Sequence, residues 1–82
     1  MDWKDYAWLN RGKRRKSILE LLNNSERPLS AKDVKSKLKI AISQASYSLK
    51  ELRNRGLIEC INPDDKIGKL YLINKKGKEL VK

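Results

Sequence analysis

Residues 43–50, Ser-Gln-Ala-Ser-Tyr-Ser-Leu-Lys, gather side chains suited to reading the edge of a base. Gln44 carries a donor and an acceptor side by side, the pair that bonds adenine in bidentate fashion. Ser43 and Ser46 offer hydroxyls to a base or a phosphate. The Tyr47 ring can meet a thymine methyl and its hydroxyl a phosphate, while Lys50 adds a cation. No acid occurs from residue 34 to residue 50, although Lys35, Lys37, Lys39 and Lys50 all fall there. A solvated helix face commonly mixes signs, so this pattern favours a polyanionic partner, double-stranded DNA first.

A second set of residues suits phosphate without reading sequence. Lys13, Arg14 and Arg15 stand in a run of five positive charges, residues 11–16, too dense to be buried together. With Lys39 and Arg53 they are candidate backbone contacts. Lys66 and Lys69 could reach a minor groove or phosphates from a later loop, but Asp64 and Asp65 in the same loop oppose them.

Other chemistries are poorly served. Twenty Lys and Arg against ten Asp and Glu give a formal charge of +10 over 82 residues, a balance that calls for an anionic partner. The chain holds no His and one Cys, so an internal disulfide is excluded and neither a metal site nor any other cofactor is expected. Without His the commonest general base is missing, and no nucleophile elbow or phosphate loop appears. Neither an enzyme nor a small-molecule substrate is expected. No apolar run nears the roughly 20 residues that cross a bilayer, and residues 1–10 do not resemble a signal peptide. No membrane partner is expected, and a cytoplasmic, nucleoid-associated location fits.

Short elements must position these residues. Ile18, Leu21 and Leu22 share one face of a first helix over residues 11–23, with a backward extension through the aromatics left open despite Gly12. Ser30 and Asp33 form a short capping box, with Leu29 and Val34 as its staple, opening a second helix over 31–38. Ala45, Leu49 and Leu52 give a third helix over about 43–55 a buried stripe. Ser43 is its candidate N-cap, with a start a residue or two earlier left open, and Gly56 closes it. The period then changes to two: strands over 57–61 and 70–73 flank a turn-rich loop, and Asn74 caps a last helix over 75–81. The predicted class is α+β, mainly α. Three helices precede a two-stranded hairpin wing and a short C-terminal helix, with the Leu29 region a candidate third strand. This order is that of a winged helix-turn-helix.

The linked run Ala45-Ser-Tyr-Ser-Leu-Lys-Glu-Leu52, Gly56-Leu-Ile-Glu-Cys60, Asn62-Pro63, Gly68-Lys-Leu-Tyr71 and Lys76-Gly-Lys-Glu-Leu80 resembles the winged helix domains of MarR- and ArsR-type transcriptional regulators. Archaeal single-domain members are nearest. The resemblance covers about residues 11–82 and implies a sequence-specific transcriptional regulator whose helix over about 43–55 lies in the major groove. The chain differs from that pattern at Lys39, where Gly is common, and at Ala41, where a Ser or Thr cap is usual.

Residues 1–10 stand apart as an aromatic segment. Trp3, Tyr6 and Trp8 suit a cap on the domain or a dimer contact. A homodimer would address two half-sites about 34 Å apart. Cys60, Tyr71 and Ile73 read as core. Two alternative functions share the fold: a protein-interaction module of the transcription machinery, and an RNA-binding winged helix.

Overall fold

Asp2 opens the first helix, α1 (Trp3–Asn10), its carboxylate accepting the backbone N–H groups of Lys4 and Asp5. The computed structural model describes residues 2–81. A second helix, α2 (Lys13–Asn24), follows directly. The single helix expected over residues 11–23 is thus preceded by a separate one, not extended backward. Gly12 adopts an extended conformation (φ −125°, ψ 98°), a break suited to a poor helix former. The break turns α1 back onto the domain, where Leu9 is fully buried beside Ile18, Leu19 and Leu22 of α2.

Strand β1 (Leu29–Ser30) leads into α3 (Ala31–Leu38). The capping box forms as predicted. Ser30 Oγ accepts from the Asp33 backbone N–H at 3.1 Å, and Asp33 Oδ2 accepts from the Ser30 N–H at 3.0 Å. That backbone bond holds the Asp33 carboxyl below the usual carboxylate range, against the opposing effect of burial. The staple residues Leu29 and Val34 are both fully buried. Lys39 ends α3 in the left-handed conformation (φ 56°, ψ 48°), and α4 (Ile42–Asn54) begins three residues later.

After α4, β2 (Ile58–Cys60) and β3 (Leu70–Ile73) form the hairpin, and α5 (Lys75–Leu80) closes the fold. The sheet has three antiparallel strands in the order β1-β3-β2. Leu29 pairs with Tyr71, Ile58 with Ile73 and Cys60 with Tyr71. An isolated hairpin is marginal in water, and here β1 and the helices support it: Leu57 and Ile58 join Ala45, Leu49, Leu52 and Leu80 in one core. Tyr71 and Ile73 pack against that core as expected. Asn74 ties the end of the hairpin back, donating to the Gly56 carbonyl at 2.7 Å and accepting from Gly77 N–H at 2.8 Å. Gly77 is buried, and a Cβ there would collide with the Leu57 carbonyl oxygen. Among the described residues, no helix is long and apolar enough to cross a membrane, and no cluster of three or more His, Cys, Asp or Glu side chains could hold a metal ion.

Candidate nucleic-acid interface

Helix α4 turns its two faces to different neighbours. Ala45, Ser48, Leu49 and Leu52 are buried, whereas Ser43, Ser46, Tyr47, Lys50 and Arg53 are exposed. Tyr47 keeps 64% of its surface free, so its ring and hydroxyl are available to a partner. The helix takes the earlier of the two starts left open and begins at Ile42. Ala41 occupies the N-cap position, two residues ahead of Ser43, and its methyl group cannot accept a capping bond. Gln44 makes the reciprocal bond, its Oε1 accepting the Ala41 backbone N–H at 3.1 Å. This is half of a capping box. Gln44 is consequently half-buried, with its amide oxygen engaged and its NH2 group left to donate. To accept from a base as well, that oxygen must use its second lone pair.

Two grooves connect α4 with the hairpin loop. One is lined by Ile42 and Ser46 of α4, by Lys32 near the start of α3, and by Lys66, Ile67 and Lys69 of the loop. The next is lined by Ser46, Lys50, Arg53, Asn54, Lys69 and Tyr71. Lys69 and Ser46 border both, so the loop and the exposed face of α4 form one surface. Burial pushes the Tyr71 hydroxyl up at the floor of that surface. On the other side of α4, Tyr47 shares a depression with Lys13 and Arg14 at the start of α2. Lys13 and Arg14 also border Leu38 and Ile40, which flank the exposed Lys39 in the α3–α4 turn. Residues proposed from three separate stretches of sequence therefore adjoin one another.

The loop between β2 and β3 is organised by one side chain. Asn62 Oδ1 accepts from Leu70 N–H at 2.7 Å, and its Nδ2 donates to the Gly68 carbonyl at 3.1 Å and to Asp65 Oδ2 at 2.8 Å. The Cys60 thiol also donates to Asn62 Oδ1 at 3.6 Å. Asp65 is in this way drawn into the loop's own bonding, which leaves Asp64 as the loop acid without such a bond. Sequence reasoning missed Asn62, whose Asn-Pro context signals a turn but not a staple. It also missed Lys32, because nothing in the sequence brings the start of α3 beside the loop.

Arg15, expected at a phosphate, makes its described contacts within the fold. Its guanidinium carbon lies 3.9 Å from the centre of the Trp8 ring. Nε donates to the Trp8 carbonyl at 3.1 Å, and Nη2 bonds the same oxygen. Nη1 lies 3.7 Å from Glu51 Oε2. Trp8 is likewise not available in the way Trp3 and Tyr6 are. It receives Arg15, and Arg55 approaches its ring at 4.5 Å, so it anchors α1 to α2 and α4. Trp3, 73% exposed, and Tyr6 stack edge to face on the outer side of α1, with ring centres 5.9 Å apart.

Asp5 completes this anchor. It is 5% exposed, and its two oxygens each lie 3.0 Å from a cation, Oδ1 from Arg55 and Oδ2 from Lys76. The Lys76 ammonium, with Arg55 beside it, holds the Asp5 carboxyl below its ordinary value, although burial works against the shift. Arg55, at the C-cap of α4, thereby ties that helix to α1. No spacing rule predicts a pair separated by fifty positions.

The sequence profile of the helix-turn-helix domain family matches residues 13–61, from the start of α2 to just past β2. Among solved structures, the chain superposes on a crystal structure of a MarR family transcription regulator with a TM-score of 0.77 at 22% identity. The match covers 95% of this chain and 52% of that one, so the chain spans about half the length of that regulator. At this identity the likeness establishes the winged helix fold. No curated protein sequence matches the chain.

Proposed function

The chain belongs to the helix-turn-helix domain family, and we propose that it is a non-enzymatic transcription regulator that binds double-stranded DNA with α4 in the major groove. One observation carries this reading: exposed cations and polar groups of α2, α4 and the hairpin loop line grooves on both sides of the exposed face of α4. Among the described residues that line these grooves the one acid is Glu51, which faces Arg15. A helix-turn-helix reads bases with the first residues of its second helix. In this chain those are Ser43, Gln44, Ser46 and Tyr47, with Lys50 one turn further. Gln44, braced by the Ala41 N–H, would present its amide with little rotational freedom. Lys13, Arg14, Lys39 and Arg53 flank that strip as phosphate contacts, and Lys66 and Lys69 extend it along the wing.

The MarR family name of the structural neighbour accords with a role in transcription. A homodimer in the cytoplasm, associated with the nucleoid, is part of the same proposal. The exposed Trp3–Tyr6 pair is the surface we assign to the second copy, because large aromatic residues are enriched at interfaces.

Binding to a duplex pool measured across a salt series tests the reading. The log–log slope should be about −0.9 for each phosphate neutralised, hence roughly −4.5 to −6.3 for about five to seven contacts. Failure to bind duplex at low salt overturns it, as does tighter binding to single-stranded RNA.

A further inference from the structure

Ile67 is the most exposed large apolar side chain among the described residues, at 92%. It does not hang on a slack segment. The Asn62 bonds to Leu70, Gly68 and Asp65 brace the loop from within, and Gly68 turns the chain immediately after it with φ +74°. Lys66 and Lys69 stand close on either side in sequence. Across the groove that Ile67 helps to line are Lys32, Ser46 and Ile42, so the side chain is presented on the side where α4 offers its reading residues.

We propose that Ile67 is an apolar wedge that enters the minor groove of the duplex next to the segment read by α4, and kinks it. The inference rests on the DNA-binding reading above. A lone isoleucine gains nothing in water. Against a base step it exchanges hydration for contact, as the apolar wedges of architectural proteins do. The minor groove is about 6 Å wide, which admits a branched aliphatic side chain but no helix. Lys66 and Lys69 would meet phosphates bordering the groove, holding the tip in place while it displaces the stack. Unstacking is least costly at pyrimidine–purine steps, so the wedge would add sequence preference outside the bases touched by α4.

The test uses the full chain and duplexes of about 30 base pairs recovered from a random pool by the wild-type protein, a length suited to detecting a kink. Each duplex carries dyes at its ends to report bending. 2-Aminopurine at the flanking step reports unstacking. Wild type should shorten the end-to-end distance and brighten the 2-aminopurine. Ile67→Ala should weaken binding about tenfold, short of the full value of a buried isoleucine, and abolish both signals at saturating protein. Ile67→Met should retain them. Because Ile67 is exposed, Ile67→Ala should leave the melting temperature unchanged, so a loss of binding is not a loss of fold. If Ile67→Ala binds and bends as wild type does, the wedge is refuted while the DNA reading stands. If Ile67→Lys binds more tightly with the bend intact, the loop acts through charge alone and the wedge is again refuted. If no duplex is recovered, the DNA reading itself fails.

Discussion

Replacing Lys39 by glycine separates what this residue does for the fold from what it does for binding. Lys39 is the one non-glycine residue with positive φ among those described, at φ 56° and ψ 48°. An L-residue in this conformation is disfavoured by about 1–2 kcal/mol. Glycine removes that strain but makes the unfolded chain more flexible, which offsets about 0.5–1 kcal/mol. The side chain of Lys39 is exposed and makes no hydrogen bond or ion pair with another described residue. The net expectation is a gain of about 0.5–1 kcal/mol. For a domain of this size that corresponds to a rise in melting temperature of roughly 3–6 °C. The same substitution removes a proposed phosphate contact, so the salt slope of duplex binding should fall by about 0.9. Thermal unfolding followed by circular dichroism, without DNA, gives the first quantity, and a salt titration with duplex gives the second. Lys39→Asn is the control: asparagine tolerates this conformation, so it should give a smaller stability gain and the same loss of slope. A melting temperature below wild type would refute the strain argument. A stabilised variant with an unchanged salt slope would remove Lys39 from the interface.

Four further substitutions test the neighbouring elements. Arg14→Ala should lower the salt slope by about 0.9 with little effect on stability. Arg15→Ala should instead cost about 1–2 kcal/mol of stability through lost contacts with Trp8 and leave the slope unchanged; identical behaviour of the two variants would contradict the assignment. Asp5→Asn should destabilise by about 1–2 kcal/mol, well under the value for a fully buried pair, because Arg55 and Lys76 keep 39% and 49% of their side-chain surface and rehydrate. Since the folded carboxyl titrates below its ordinary 3.8, this stabilisation is complete above that pH and is lost as the pH falls through the folded value. The gap between wild type and Asp5→Asn, measured by denaturant unfolding, should therefore close in acid and stay constant from pH 5 to pH 7. Asn62→Ala strips the loop of its staple and leaves Leu70 N–H unpaired. Hydrogen exchange should quicken between β2 and β3, and global stability should fall by about 1–2 kcal/mol; unchanged exchange in that loop would show that the hairpin holds without Asn62.

Where the determinants are local, the sequence alone is enough. The capping box of Ser30 and Asp33, the 31–38 helix, the inward stripe of Ala45, Leu49 and Leu52 and the strand pair around the turn-rich loop each depend on residues within a few positions of one another. Helical period and strand alternation register such relations directly. The candidate reading face of α4 is legible for the same reason, being whatever the buried stripe leaves outside.

Tertiary structure decided the rest, because the partners lie far apart along the chain. Nothing near Arg15 distinguishes it from Arg14. The ring of Trp8 and the carboxylate of Glu51 do so only once α1 has folded back at Gly12. Gln44 looks like a free reader until the fold sets Ala41 at the N-cap, where its backbone N–H is taken up by the Gln44 side chain. Asp5 acquires its role from Arg55 and Lys76, contributed by the two ends of the helix–hairpin–helix run. The hairpin loop joins α4 in one surface because β1 pairs with β3 and holds the hairpin across the start of α3. Charge and residue type set which groups this protein can present to an anionic partner. Long-range packing determines which of them remain free to do so.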